Sequence, residues 1–281
     1  MSIIEEAVRK TAEQHHRHGV VEPVSARVKM RRVASSPELA TGRRFQPFGL
    51  DAQTLEQNHV LPQVADGGAL RAYKILRTRV LRRLDAHQWR SMAITGVTAG
   101  EGKTLTAINL AMALAQDVNT WVFLVDLDLQ RPRVAEYLGL HGANGGKGLS
   151  DYLLGDASFE SITYTPMSME RLSVIPNFEA IAHSSELLGS SKMLDLMHSL
   201  EAEAPRRILV VDMPPVLASD DVLAFAPQLD CALLVVGEGF TSRDSLKRAK
   251  EVLAEMNLLG VVLNRSADGN DKDYYSYNKP K

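Results

Sequence analysis

The sequence predicts an α/β fold, a parallel, doubly wound sheet with helices on both faces. Three observations predict it. A glycine-rich stretch, Gly96-Val-Thr-Ala-Gly-Glu-Gly-Lys-Thr104, separates the apolar run Met92-Ala-Ile-Thr95 from a helical pattern beginning near Lys103. Further along, short apolar runs at Trp121–Val125, Leu172–Ile175, Ile208–Val211, Ala232–Val236 and Val261–Leu263 alternate with helical patterns around 103–116, 184–201 and 242–257. Near-continuous apolar strands between helices imply a parallel sheet covered on both faces. Two of the runs end in aspartates, and in an open α/β sheet the carboxyl ends of the strands face the ligand crevice.

A chain of 281 residues with 45% hydrophobic content buries one sizeable core and leaves residues for a terminal arm. The formal net charge of -2 gives no global attraction to nucleic acid. Cys231, the single cysteine, lies inside an apolar run, which excludes an intramolecular disulfide and suggests a reducing compartment. No stretch approaches the roughly 18 apolar residues of a membrane span, and the N-terminus lacks the apolar core of a secretory signal. The expectation is a cytoplasmic protein, peripheral at the membrane through a partner.

Taken in order, residues 2–14 place Ile3, Ile4, Ala7, Val8, Thr11 and Ala12 at helical spacing, a short amphipathic helix that is marginal alone. His15, His16 and His18 follow without a carboxylate or thiol beside them, which reads as polar filler rather than a metal site. Residues 19–68, with Pro23, Pro37, Pro47 and Pro62 and no sustained period, read as a flexible linker with part of its length packed on the domain. Residues 69–84 put Leu70, Tyr73, Leu76, Val80 and Leu84 on one helical face, with Arg71, Lys74, Arg77, Arg79, Arg82 and Arg83 around it. Such a basic face is either solvated or meets acidic residues of a neighbouring subunit. The last helix opens at Thr241, with Asp244 three residues on in a capping arrangement.

The glycine-rich stretch is a phosphate cradle. Between a strand and a helix, successive backbone N–H groups converge on phosphate oxygens, and the helix N-terminus adds favourable dipole charge. The strict phosphate-loop pattern asks for glycine where Val97 stands, and the glycine lies one residue earlier, at Gly96. Gly102-Lys103-Thr104 nevertheless sets an ammonium for the β- and γ-phosphates and a hydroxyl for Mg²⁺. Asp126 and Asp128 follow one apolar run and Asp212 another, so all three face the same crevice. One or two carboxylates with phosphate oxygens suffice to hold Mg²⁺, which frees a further one to act as a base in phosphoryl transfer.

Over residues 69–277 the sequence resembles the bacterial tyrosine kinases of exopolysaccharide biosynthesis, a branch of the deviant P-loop ATPases that includes the MinD and ParA proteins. The resemblance rests on Gly96–Thr104 as Walker A, Val125-Asp-Leu-Asp128 as Walker A′ and Val211-Asp-Met-Pro-Pro-Val-Leu217 as Walker B. Supporting stretches are Gly148-Leu-Ser-Asp-Tyr-Leu-Leu154, Ser185-Glu-Leu-Leu188 and Leu259-Gly-Val-Val-Leu-Asn264, and the opening residues resemble the exosortase-associated members. Where MinD and ParA carry a signature lysine, this chain has Thr98, which favours the kinase branch.

The resemblance implies an ATP- and Mg²⁺-dependent protein-tyrosine autokinase. Gly96, Thr98, Ala99, Gly100, Glu101, Gly102, Lys103, Thr104 and Leu105 would cradle the nucleotide, and Asn264 would contact adenine. Thr104, Asp128 and Asp212 would hold the metal or its waters, Lys103 and Asp128 would act in transfer, and Asp126 would be the base. The acceptors would be Tyr274, Tyr275 and Tyr277 in the tail. The implied partners are other copies of the chain and a separate membrane-bound polysaccharide co-polymerase, or chain-length determinant, as activator. The implied organisation is an arm at 1–68, a kinase domain at 69–265 and a tyrosine-bearing tail at 266–281.

Two departures stand out. The family's Glu-x-x-Arg-x-x-Arg pattern, which pairs subunits in a ring, reads Arg71, Lys74 and Arg77 here. The arginine usual two residues past Asp128 is Gln130, with Arg131 adjacent. Two other readings stay open: a MinD- or ParA-like ATPase switch without kinase activity, and a nucleotide-binding scaffold of the export machinery.

Overall fold

The computed structural model describes residues 45–61, 67–141, 146–181, 184–204 and 206–266. The helix expected at 2–14, the histidine tract and Tyr274, Tyr275 and Tyr277 lie outside them.

The described residues form an eight-stranded sheet in the order β1-β4-β5-β3-β6-β2-β7-β8. Its strands are β1 (Gln46–Phe48), β2 (Ser91–Gly96), β3 (Trp121–Asp126), β4 (Tyr164–Pro166), β5 (Leu172–Ile175), β6 (Arg207–Asp212), β7 (Cys231–Gly237) and β8 (Leu258–Asn264). The central strands are apolar almost throughout because both faces are covered. Side chains alternate along a strand, so Trp121, Phe123 and Val125 enter one apolar cluster while Val122 and Leu124 enter the other, on the opposite face. The sheet is mostly but not wholly parallel. β4 runs antiparallel to β5, because the two follow each other through a short turn rather than a crossover helix.

Helix α1 (Ala52–Gln57) is capped by Asp51, whose carboxylate accepts from the Thr54 amide at 2.8 Å. Phe45, Leu55 and Val60 are buried, so the stretch read as linker contributes an edge strand and a helix at Phe45–Leu61. The basic helix α2 (Gly68–His87) buries Leu70, Val80 and Leu84, with Tyr73 and Leu76 half-buried, as its periodicity predicts.

Helix α3 (Lys103–Leu114) is buried nearly all round, which explains its lack of a polar stripe. Its Asn109 holds the segment after α1, with Oδ1 accepting from the Leu61 amide at 2.8 Å and Nδ2 donating to the His59 carbonyl at 3.4 Å.

The remaining helices are α4 (Val134–Leu138), α5 (Leu149–Leu154), α6 (Phe159–Ile162), α7 (Ser184–Leu188), α8 (Ser191–Glu203), α9 (Asp221–Phe225) and α10 (Arg243–Val252). Two expectations are corrected. The single helix at 184–201 is broken at Gly189-Ser190, where the Ser190 side chain accepts from the Met193 amide and starts α8 afresh. The cap of α10 is Ser242, accepting from the Ser245 amide at 3.1 Å, because the Thr241 hydroxyl is engaged elsewhere.

Candidate nucleotide site

The loop from β2 to α3 is shaped by its backbone. Gly100 has φ +88° and Gly102 has φ +87°, a region that L side chains enter at a cost. A Cβ on Gly102 would also collide with the Asn264 amide nitrogen. Gly102 caps α3 without a side-chain hydrogen bond, leaving the first amide groups of the helix directed at whatever occupies the loop.

Glu101 fastens the loop from within. Its fully buried carboxylate accepts from the amides of Val97 and Thr98 and from the hydroxyls of Thr98 and Thr241. The Thr241 hydroxyl in turn accepts from the Gly237 amide at 3.0 Å, joining the loop to the turn after β7. In that turn Phe240 lies against Gly100, with the Arg265 guanidinium 5.1 Å from its ring centre. Glu101, expected among the nucleotide-contacting positions, turns its side chain inward. Its partner Thr241 is far away in sequence, so no local pattern announces the contact.

The sheet order sets β3, β6 and β2 side by side, so their carboxyl ends meet. In the ladder Asp126 lies opposite Asp212. The Lys103 ammonium sits 2.7 Å from Asp128 Oδ2 and 3.4 Å from Asp212 Oδ1. The Thr104 hydroxyl donates to Asp212 Oδ2 at 2.6 Å. Asp126, Asp128 and Asp212 are all buried, and a lone ammonium cannot balance three carboxylates. The site is therefore short of positive charge.

Protonation follows from that shortage. Burial, together with the charge of Asp212, pushes Asp126 well above the usual carboxylate range. Burial also raises Asp212, although Lys103 and the Thr104 hydroxyl pull it back. For Lys103 burial acts to lower the proton affinity, but attraction by Asp212, Asp128 and Asp126 outweighs it, and the net shift is upward.

Asp126 has a second task. Its Oδ2 accepts from the amides of Arg133 and Val134 at 3.0 and 2.9 Å, which anchors the start of α4. Its Oδ1 accepts from the Asp128 amide at 3.2 Å. Asp128 Oδ1 accepts from the Arg131 amide at 3.1 Å, closing the turn between them. Asn264 donates its side-chain amide to the Glu101 carbonyl at 2.8 Å, so its nitrogen supports the loop. Gly96, Thr98, Ala99 and Leu105 lie along the same loop and the first turn of α3.

Among the described residues no three Asp, Glu, His or Cys side chains converge tightly enough to cage a metal by themselves. The donor set fits Mg²⁺ all the same, since that ion takes one or two carboxylates and fills its shell with water and phosphate oxygens. Thr104, Asp128 and Asp212 supply oxygen donors, and the charge deficit supplies the attraction.

The model of the CobQ/CobB/MinD/ParA nucleotide-binding domain matches residues 92–278. Tyrosine-protein kinase YwqD of Bacillus subtilis (strain 168) is 31% identical over 73% of this chain and 84% of its own length. Tyrosine-protein kinase wzc of Salmonella typhi is 29% identical over 74% of this chain. The chain spans only 29% of that relative. Among solved structures, the kinase domain of VpsO is 28% identical with a TM-score of 0.61, covering 70% of this chain and 96% of that one.

Proposed function

The chain belongs to the CobQ/CobB/MinD/ParA nucleotide-binding family, in its bacterial tyrosine-kinase branch, and on that premise we propose how this kinase works and what it modifies. It transfers the terminal phosphoryl group of ATP to Tyr274, Tyr275 and Tyr277 of neighbouring copies, and so regulates exopolysaccharide synthesis or export. The observation that carries this reading is the Lys103 ammonium between Asp128 and Asp212 with Thr104 on Asp212.

Lys103 lies where it can leave its carboxylates for the β- and γ-phosphates, and the α3 N-terminus adds dipole charge. Thr104, Asp128 and Asp212 would hold Mg²⁺ or its waters. The ion supplies charge neutralisation on the transferring phosphoryl group. Asp126 is the base, since a carboxylate with raised proton affinity takes a phenolic proton more readily than an ordinary one. Asn264 and the segment around it border the nucleoside.

The working unit is a kinase domain that takes in Phe45–Leu61, which packs in the sheet and core, as well as 69–265, with an arm ahead of it and the tail at 266–281. The activator is a separate membrane-bound polysaccharide co-polymerase, and the active form is a homo-oligomer. Among the described residues no helix is long and apolar enough to cross a membrane. The test is to isolate the full chain and its Lys103→Met variant from cells and map phosphate on the C-terminal peptide by mass spectrometry. Phosphotyrosine at the three positions in the wild type and none in the variant is expected. Phosphate on serine alone, or equal labelling in the variant, overturns the proposal.

A further inference from the structure

The roles set out above leave Phe45–Leu61 without one, although it packs in the sheet and core. Asn58, the residue that ends α1, is half-buried. Its side-chain nitrogen donates to the carbonyls of Glu136 and Tyr137 in α4, each at 3.2 Å. Both partners are acceptors, so the carboxamide acts here as a double donor through its NH2 group. The last carbonyls of a helix have no partner further along it, and Asn58 supplies one from 78 residues away in sequence.

The other end of α4 belongs to the site. The amides of Arg133 and Val134, at its start, donate to Asp126 Oδ2 at 3.0 and 2.9 Å. A helix of five residues is too short to hold its own geometry, so its pose follows from whatever grips it. At about 1.5 Å per residue it spans only about 7 Å, with the carboxylate at one end and the carboxamide at the other. Packing ties the same elements together. Leu55 of α1 is buried in one apolar cluster with Val134, Ala135 and Leu138, and Thr54 lies against Gly139, where α4 stops. Lys103 and Thr104 are set instead by α3 and by the carboxylates of Asp128 and Asp212.

We propose that Asn58 is a positioning residue for phosphoryl transfer: it fixes α4, α4 presents the amides that hold Asp126 Oδ2, and Asp126 is thereby aimed at the phenol it deprotonates. The proposal rests on the reading of Asp126 as the base. A base works only within about 2.6–3.2 Å of the atom whose proton it takes. A displacement near 1 Å, caused by a change remote from the chemistry, costs up to about 10²-fold in rate. A slack α4 lets the Asp126 carboxylate turn while the phosphate cradle stays as it is. Asn58 therefore governs the transfer step and leaves nucleotide binding alone.

The experiment compares the full chain with Asn58→Ala and with Asn58→Asp, which is close in shape but sets an acceptor against two carbonyls. Amide hydrogen exchange and tyrosine autophosphorylation at varied ATP are measured below the melting transition of every protein. Both variants should exchange several-fold faster at the Arg133 and Val134 amides, with Val97 and Thr98 unchanged. The kcat should fall on the order of tenfold. KM for ATP and affinity for a fluorescent ATP analogue should stay within about twofold, the pattern of an interaction felt only in the transition state. Adding Asn58→Ala to Asp126→Asn should lower the rate no further, since no base is then left to aim. A merely structural asparagine would lower the melting temperature and leave kcat intact, and that result overturns the proposal. So does unchanged exchange at Arg133 and Val134, or a loss of kcat matched by an equal loss of nucleotide affinity. If Asp126→Asn itself transfers at the wild-type rate, the base reading fails and the proposal with it. If Asp126→Asn is slow while both Asn58 variants transfer normally, the base reading stands and Asn58 alone loses its role.

Discussion

Replacing Lys103 by methionine keeps the length of the side chain and removes the charge at the centre of three buried aspartates. At distances of 2.7 Å to Asp128 and 3.4 Å to Asp212, the lost attractions are each about 5–6 kcal/mol at an effective dielectric constant near 20. Desolvating the ammonium offsets much of that, and breaking a buried pair by removing one partner costs about 3–5 kcal/mol net. For a domain of this size that corresponds to a fall in Tm of roughly 6–20 °C.

The pH dependence carries the sharper test. Without Lys103 the proton affinities of Asp126 and Asp212, already above the ordinary range, rise further. A carboxylate whose pKa is higher folded than unfolded contributes stability at low pH and loses it as pH rises through the folded value. The deficit of the variant should therefore be largest at pH 8.5 and shrink toward pH 5 as the carboxylates take up protons. Lys103 itself stays charged across that window, because the surrounding aspartates hold its pKa above the ordinary lysine range. Urea denaturation of both proteins at pH 5, 7 and 8.5 measures this directly. A deficit below about 1 kcal/mol at pH 8.5, or one that grows as the pH falls, would refute the reasoning.

Glu101→Ala strands the buried amides of Val97 and Thr98, at about 1–3 kcal/mol for each unpaired group, and should weaken binding of a fluorescent ATP analogue at least tenfold; unchanged affinity in titration would show that the loop does not need this fastening. Gly102→Ala forces the new Cβ against Asn264, so its stability cost should fall by about 1 kcal/mol or more when Asn264→Ala is added, and strict additivity in chemical melts would count against the close contact. Asp126→Asn should retain nucleotide within a few-fold while tyrosine phosphorylation drops on the order of 10²-fold or more; equal turnover in a phosphotyrosine immunoassay would remove Asp126 as the base.

The central strands were legible because each is a short apolar run ending at a glycine or an aspartate, and burial on both faces admits little else. Asp126, Asp128, Asp212, Lys103 and Thr104 could be brought together from sequence by a single rule, that strand ends share a crevice. What escaped was either short or non-local. β1 and β4 are three residues each, and each contains a proline, so their pairing is imposed by neighbours rather than by propensity. Gly189-Ser190 lies inside an otherwise continuous helical pattern, and the serine's capping choice outweighed the periodicity. Asp126 anchoring α4 was hidden because its partners are backbone amides. Glu101 fastening the loop was hidden because Thr241, though it follows the strand beside β2, lies 140 residues away in sequence.

The grip of Asn109 on His59 and Leu61 has a mechanical meaning. Asn109 lies six residues along the helix whose first residue is Lys103, a rise of about 9 Å, and that helix is rigidly embedded in the core. The clamp fastens the segment after α1 to that helix by side-chain hydrogen bonds, across about fifty residues of sequence. Losing that carboxamide, as in Asn109→Ala, would release the segment after α1 from the lysine-bearing helix while β1 and Phe45 still hold the chain ahead of it in the sheet and core.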